Sequence, residues 1–130
     1  MPRTALHAPS APACIGLYSH GVWSGHEIFL SGQTPINPTT GRLIDGDIAE
    51  QTHRVFDNLE GVLRKAGLSL DDVVKCNVSL TDMAEFAAMN AADGARFAAP
   101  YPARTTVAVA GLPLVTQVEI ELLARRATAK

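Results

Sequence analysis

Residues 47–80 read DIAEQTHRVFDNLEGVLRKAGLSLDDVVKCNVSL, and this stretch decides the fold class. Between residues 47 and 66, apolar side chains recur at steps of three and four, and charged side chains fill the other positions. This period predicts an amphipathic α-helix, with Gly67 as its C-terminal cap. Over residues 74–80, apolar and polar residues alternate, which predicts a strand with one apolar face and places Cys76 in the core. The domain therefore combines helices with strands.

The segments on either side of this stretch contain further strands and one more helix. Their residue patterns predict strands at 18–22 and 27–31, a helix at 82–98, and strands at 104–110 and 117–125. A turn at residues 24–26 joins the first two strands as a predicted hairpin, and a capping box from Asp82 to Glu85 opens the second helix. The last two strands are predicted to form a second hairpin around residues 111 and 112. The order β-β-α-β-α-β-β predicts an α+β fold, a mixed sheet with two helices on one face.

The chain length of 130 residues is that of one domain. Residues 1–14 are rich in Ala and Pro and are predicted to be a flexible arm, whereas residues 15–130 are predicted to form the single domain. Hydrophobic residues make up 47% and charged residues 18%, a balance that excludes intrinsic disorder. Only 5% of the residues are aromatic, so the core must come mainly from small aliphatic side chains. Burial between subunits is the expected remedy for such a core.

Charge and cysteine content exclude several classes of protein. The net charge is −2 and the basic residues do not cluster, which argues against nucleic acid or an anionic membrane as the main partner. Cys14 and Cys76 match no metal or redox spacing, and the four histidines lack zinc-ligand spacing. We therefore expect free thiols and no metal site. Because residues 1–13 lack a hydrophobic block and no apolar run has the length of a membrane span, a cytoplasmic protein is expected.

Arg104 and Glu119 are the first candidates for chemistry. If the second hairpin turns at residues 111 and 112, these two residues lie opposite each other, on one face, with Cβ atoms about 4.5–5.5 Å apart. Such a pair is either a cross-strand salt bridge on a solvated face or a site. In a site, the guanidinium holds a substrate carboxylate by parallel hydrogen bonds while the glutamate acts on a water molecule. The hypothesis requires both side chains to point to the same face.

Several short motifs occur in the same order as in a known family. They are Gly16-Leu17-Tyr18-Ser19-His20-Gly21, Ser31-Gly32-Gln33-Thr34-Pro35, Phe86-Ala87-Ala88-Met89-Asn90, and a C-terminal signature of Pro102-Ala103-Arg104, Val107, Ala110-Gly111-Leu112-Pro113 and Val118-Glu119-Ile120. Together they resemble the Rid (YjgF-type) imine deaminase family. Each motif is of modest specificity, but all of them in register over residues 15–126 make a strong resemblance.

This resemblance implies a chorismate-mutase-like fold that assembles as a homotrimer with clefts between the subunits. The activity it implies is hydrolysis of reactive 2-imino (enamine) acids to 2-keto acids and ammonia, with no cofactor and no metal. The only partners are then a small carboxylate substrate and further copies of the chain. The resemblance assigns roles to seven residues: Arg104 grips the substrate carboxylate, Glu119 polarises the attacking water, Tyr18, Ser31 and Asn90 line the cleft, and the backbone around Gly32 and Thr106 supplies hydrogen bonds.

Two positions depart from the pattern of the family. Many members carry a cysteine two positions after the signature arginine, whereas this chain has Thr106; Leu17 replaces a proline. Thr106 leaves open a deaminase of a larger enamine acid, such as 2-aminomuconate. A non-catalytic trimer that binds carboxylates or acts like a chaperone is the alternative from another class. A ribonuclease is the poorest fit, because the chain is acidic and has no basic stripe or aromatic platform.

Overall fold

The structure, a computed structural model, describes residues 3–127. Met1 and Pro2 of the predicted arm, and residues 128–130 of the predicted domain, lie outside the described residues. Within 3–127 the chain forms two α-helices, α1 (Ile48–Lys65) and α2 (Phe86–Arg96). The strands are β1 (Thr4–Leu6), β2 (Gly21–Ser24), β3 (Glu27–Gln33), β4 (Ile36–Asn37), β5 (Arg42–Leu43), β6 (Val73–Leu80), β7 (Ala103–Ala108) and β8 (Val118–Arg125).

Six strands form one sheet in the order β1-β2-β3-β8-β6-β7, and β4 pairs with β5 in a separate two-stranded sheet. Strands β6 and β7 run parallel, whereas the other neighbours in the large sheet run antiparallel. Helix α1 packs on β3 and β8 and also against α2. The predicted α+β fold, a mixed sheet with two helices on one face, is confirmed.

Helix α1 forms where the sequence predicts it, because both of its ends are fixed by local groups. The carboxylate of Asp47 accepts a hydrogen bond from the Glu50 amide (2.9 Å), and the Glu50 side chain accepts one from the Asp47 amide (3.1 Å). This capping box satisfies amides that the first helical turn leaves unpaired. At the other end, Gly67 has a φ of 78°, a conformation that favours glycine, and the helix stops there.

Helix α2 begins later than the sequence predicts. A 3-10 turn at Met83–Glu85 precedes it, and the Asp82 carboxylate accepts from the Ala84 amide at 2.9 Å. The predicted capping box between Asp82 and Glu85 is therefore wrong, since the cap closes one residue earlier. The Glu85 amide donates to the Asp82 carbonyl (3.1 Å), which tightens this segment into a 3-10 turn before the α-helix starts.

The core lies between α1 and the helix-side face of the large sheet. Phe56 and Leu59 of α1 are fully buried, and so are Met89 of α2 and Cys76 of β6, as predicted for Cys76. The rest of the core consists almost entirely of aliphatic side chains, such as Ile28, Leu30, Val55, Val62, Leu63, Val78, Leu80, Val118 and Ile120. None of the helices within residues 3–127 has the length and apolar character needed to cross a membrane.

The first predicted hairpin is confirmed. Strands β2 and β3 pair antiparallel as far as Ser24 and Glu27, and Gly25 in the turn between them has a φ of 62°. This positive φ is required in the tight turns that match the twist of a hairpin. Strand β2 begins at Gly21, so Tyr18 lies in the preceding loop.

The second predicted hairpin is wrong. Strand β7 pairs parallel with β6 at the edge of the sheet, whereas β8 lies on the other side of β6, between β6 and β3. The residue patterns account for this arrangement. Every second residue of β8 is buried, as a central strand requires, whereas no residue of β7 is buried. Burying β8, the more apolar strand, in the middle of the sheet stabilises the fold more than a short hairpin loop from β7 would. The chain therefore passes over β6 to reach that position.

Most of the predicted N-terminal arm is part of the domain. Strand β1 pairs with β2, and Ala8 and Ala11 are buried. The side chain of His20 fastens this segment: its Nδ1 accepts from the Ala8 amide (2.9 Å) and its Nε2 donates to the Pro12 carbonyl (2.7 Å). These contacts join distant parts of the sequence, which a composition rich in Ala and Pro does not reveal.

The sheet face opposite the helices carries exposed and half-buried apolar side chains. Val22, Phe29 and Leu123 lie side by side on three neighbouring strands, and Phe29 is 50% exposed. A register shift between β6 and β8 also turns Val74 outward, although the sequence predicts it on the apolar inner face. We call this surface the open face. No helix or loop of the described residues buries Phe29.

Candidate functional site

The predicted site residues fall into two groups on opposite faces of the large sheet. Arg104 pairs with Cys76 of β6, and Glu119 pairs with Ser79 of the same strand. Paired residues share a face, and residues an odd number of positions apart along a strand point to opposite faces. Arg104 therefore points to the helix side, and Glu119 to the open face. The hypothesis that the two side chains face each other within one subunit is wrong.

The first group lines a pocket of about 390 Å³ on the open face. Tyr18, Ser31, Gly32 and Glu119 all belong to it, together with Glu121, and we call it the open-face pocket. Its remaining walls come from the N-terminal segment, the stretch from the end of β3 to the start of β4, and the loop that follows β7, namely Pro12, Ala13, Ile15, Gln33, Thr34, Ile36, Pro113 and Leu114. The Ser31 hydroxyl donates to the Ser19 carbonyl (2.6 Å), which ties β3 to the loop that carries Tyr18.

Gly32 brings the backbone of β3 against the side chain of Glu119. The pairing of β3 with β8 shifts register between Leu30 and Gln33, so Gly32 lies in an irregularity of the strand. A Cβ atom built on Gly32 lies 2.8 Å from the Cδ atom of Glu119, closer than real Cβ contacts. Only glycine lets the backbone approach the carboxylate this closely.

The carboxyl group of Glu119 is electrostatically suited to exchange a proton. Burial raises the pKa of Glu119, and the neighbouring charge of Glu121 raises it further. Arg104, which sequence reasoning placed beside Glu119, does not contribute because it lies on the other face of the sheet. A carboxylate whose proton affinity is raised in this way is a better general base than one in a salt bridge.

The second group lines a pocket of about 480 Å³ between α2 and the edge strand β7, which we call the helix-side pocket. It contains Arg104 and Asn90, and its other walls are Cys76, Asp93, Gly94, Phe97, Tyr101 and Pro102. The Arg104 guanidinium lies over the ring of Phe86, 5.5 Å from its centroid. This contact supports the flat face of the guanidinium and leaves its N–H groups directed sideways.

Asp93 is a pocket residue that sequence reasoning missed. It is only 5% exposed, and its Oδ2 atom lies 3.8 Å from Arg104 Nη1 and 3.8 Å from Cys76 Sγ. Burial raises the pKa of Asp93, although the charge of Arg104 and the hydrogen bond from Cys76 oppose part of this rise. The available signal was helical spacing, because Asp93 follows Asn90 by three residues and so lies on the same side of α2.

The thiol of Cys76 is a hydrogen-bond donor and not a nucleophile. Burial and the nearby Asp93 carboxylate raise the pKa of Cys76 well above its usual range. The thiol therefore keeps its proton, which points to the Asp93 carboxylate.

Thr106 lines neither of these two pockets. It pairs with Val78 in β6 and so lies on the helix side of β7, two residues after Arg104. Its Oγ1 atom is buried and has no hydrogen-bond partner among the described residues.

A cluster of possible metal ligands lies outside both pockets. Ligand atoms of His7, Cys14 and His20 come within 4.8 Å of one another, although the sequence spacing predicts isolated histidines. Both ring nitrogens of His20 are already bonded to backbone groups of Ala8 and Pro12. A metal ion here must first break two buried hydrogen bonds, so the cluster is not an assembled metal site.

Known proteins resemble this chain over nearly its whole length. Residues 8–126 match the family model described as Endoribonuclease L-PSP. The 2-iminobutanoate/2-iminopropanoate deaminase of Escherichia coli K12 is 42% identical over 120 residues, which cover 90% of this chain and 93% of that protein. Protein DfrA of Myxococcus xanthus is 43% identical over 126 residues, covering 95% and 96%. Among solved structures, RidA from the Antarctic bacterium Psychrobacter sp. PAMC 21119 superimposes with a TM-score of 0.91 at 41% identity, covering 95% of this chain and 99% of that one.

Proposed function

The chain belongs to the Endoribonuclease L-PSP family, that of the Rid (YjgF-type) proteins, and we propose that it hydrolyses 2-imino (enamine) acids to 2-keto acids and ammonia. The observation that carries this proposal is that two pockets of the domain hold two complementary sets of groups. One pocket holds a guanidinium that can bind a carboxylate, and the other holds a glutamate whose pKa is raised.

In this reaction Arg104 binds the carboxylate of the imino acid through its free N–H groups, which fixes the position of the neighbouring C=N carbon. Glu119 accepts a proton from a water molecule as the water oxygen bonds to that carbon. Glu119 then returns this proton to the nitrogen of the tetrahedral intermediate, the C–N bond breaks to release ammonia, and the hydroxyl group gives its proton back to Glu119 as the C=O bond of the keto acid forms. A protonated imine is already an electrophile, so a positioned water and one carboxylate are sufficient.

The two sets of groups can act on one substrate only if different subunits contribute them. Arg104 and Asn90 lie on the helix side near the free edge strand β7, whereas Tyr18, Ser31, Gly32 and Glu119 lie on the open face. The apolar row of exposed Phe29 between half-buried Val22 and Leu123 on the open face favours burial against another copy of the chain. We therefore place the reaction in clefts between the subunits of a homotrimer.

The name carried by relatives supports the same reaction. The relatives from Escherichia coli and from Dermatophagoides farinae are both named 2-iminobutanoate/2-iminopropanoate deaminase, at 42% and 38% identity. We extend this activity to the present chain because Arg104 and Glu119 stand in the motifs that resemble those of the family.

The test is an assay of ammonia release from imino acids that an amino acid oxidase generates in situ. We expect the wild-type protein to accelerate release, and Arg104→Ala to lose at least about a hundredfold in kcat/KM because the carboxylate is no longer bound. Arg64→Ala removes an exposed arginine from the last turn of α1 and is the matched control, with wild-type rates expected. Equal rates in wild type and Arg104→Ala, or keto acid binding without turnover, overturn the proposal; the second result favours a non-catalytic carboxylate-binding trimer.

A further inference from the structure

The helix-side pocket contains one cation and one buried anion. Asp93 is 5% exposed, and the guanidinium of Arg104, 3.8 Å away, is its only positively charged neighbour in the pocket. This separation is too long for a hydrogen bond, so Asp93 balances the charge of Arg104 without using its N–H donors. The groups that face Asp93 are Arg104 from β7 and the neutral thiol of Cys76 from β6.

We propose that Asp93 is a specificity-determining residue, which acts as the resident counter-ion of Arg104 and selects substrates with a single carboxylate over dicarboxylates. The inference rests on the proposed function, in which the substrate carboxylate binds Arg104. That carboxylate then shares one guanidinium with Asp93. A second carboxylate on the substrate adds a further negative charge to a site where Asp93 already neutralises the cation. The open-face pocket provides no compensation, because its charged members are Glu119 and Glu121.

Binding is also coupled to a proton. A substrate carboxylate beside Asp93 favours the protonated form of the Asp93 carboxyl group, by like-charge repulsion at close range. Burial has already raised the pKa of Asp93 in the free protein. Binding therefore takes up protons, and the affinity for a carboxylate rises as the pH falls. This linkage separates a direct electrostatic role of Asp93 from a purely structural one.

The test measures the binding of two 2-keto acids by calorimetry, 2-oxobutanoate with one carboxylate and 2-oxoglutarate with two. We expect the wild-type protein to prefer 2-oxobutanoate, and Asp93→Asn, which keeps the shape, to bind both more tightly and to narrow the preference about tenfold. Asp57→Asn is the matched control. Asp57 forms an ion pair with Arg96 (2.8 Å) outside both pockets, and its removal should leave both affinities unchanged.

Proton uptake on binding provides a second, independent measurement. Wild-type titrations in two buffers of different ionisation enthalpy give the protons bound with 2-oxobutanoate, and we expect net uptake that Asp93→Asn abolishes. An unchanged preference in Asp93→Asn, or wild-type binding without proton uptake, overturns the role of Asp93 and leaves the proposed function standing. If wild type binds neither keto acid, the proposed function itself fails, and the role of Asp93 with it.

Discussion

At the scale of single residues, the proton affinity of Glu119 is set by two separable causes. Burial is the larger cause, and the charge of Glu121 is the second; both raise the pKa of Glu119. In the proposed reaction Glu119 is the base and must be ionised, so the rate is expected to fall as the pH drops through this raised pKa. Glu121→Gln removes the second cause and lowers the pKa of Glu119. We therefore expect the acidic limb of the profile of kcat/KM against pH to move to lower pH.

The control for this prediction is Glu85→Gln, which removes an acid from the turn before α2, outside both pockets. Its acidic limb should coincide with that of the wild type. A limb that stays in place in Glu121→Gln shows that Glu119 is not the group whose ionisation limits the rate.

The close approach of Gly32 to Glu119 gives a second prediction at this scale. Ala at position 32 brings its Cβ to 2.8 Å from the Glu119 carboxyl carbon, so the carboxylate must move. Because a displacement of about 1 Å in a catalytic group can cost a hundredfold in rate, we expect Gly32→Ala to lower kcat by at least about tenfold. Gly111→Ala is the control, since a Cβ there meets no atom within 4 Å. Equal kcat values in the two variants contradict a catalytic position for Glu119.

At the scale of secondary-structure elements, most local signals gave correct predictions, the capping box at Asp82 being the exception, whereas the pairing of the last two strands was predicted wrongly. Helix α1 follows from its period and the first hairpin from its turn, because each depends on residues close together in sequence. Strand β8 pairs with β3 and β6 because this position buries its apolar side chains, and both partners are distant from it in the chain. For the same reason the motifs identified Arg104 and Glu119 but not the opposite faces on which they lie. Asp93 of α2 was not predicted because its contacts, to Cys76 of β6 and Arg104 of β7, join elements that are separate in the sequence.

The capping box of α1 gives a prediction for the stability of an element. Asp47→Ala removes the carboxylate that accepts from the Glu50 amide, and we expect a loss of about 1 kcal/mol in the free energy of unfolding. Denaturant unfolding measures this loss. Asp45→Ala removes an acid two residues earlier, outside the cap, and should leave stability unchanged. Equal stabilities of the two variants contradict the contribution of the cap, and both variants should keep the wild-type rate of ammonia release because α1 lines neither pocket.

At the scale of the whole molecule, the division of the site between two sheet faces predicts complementation between inactive variants. Arg104→Ala leaves the open-face pocket intact, and Glu119→Gln leaves the helix-side pocket intact. If each cleft joins the helix-side pocket of one subunit to the open-face pocket of the next, a mixed ring contains one cleft with both groups intact. We expect co-expressed, doubly tagged and tandem-purified mixed trimers to recover about one third of the wild-type activity. The measurement is ammonia release per trimer.

Trimers that combine two differently tagged Arg104→Ala subunits are the control and should stay inactive, because every cleft then lacks the guanidinium. A site enclosed within one subunit cannot be repaired by mixing, since each subunit still lacks one of the two groups. Inactive mixed trimers therefore contradict the shared cleft, whereas recovery above the control requires that Arg104 and Glu119 act from different subunits.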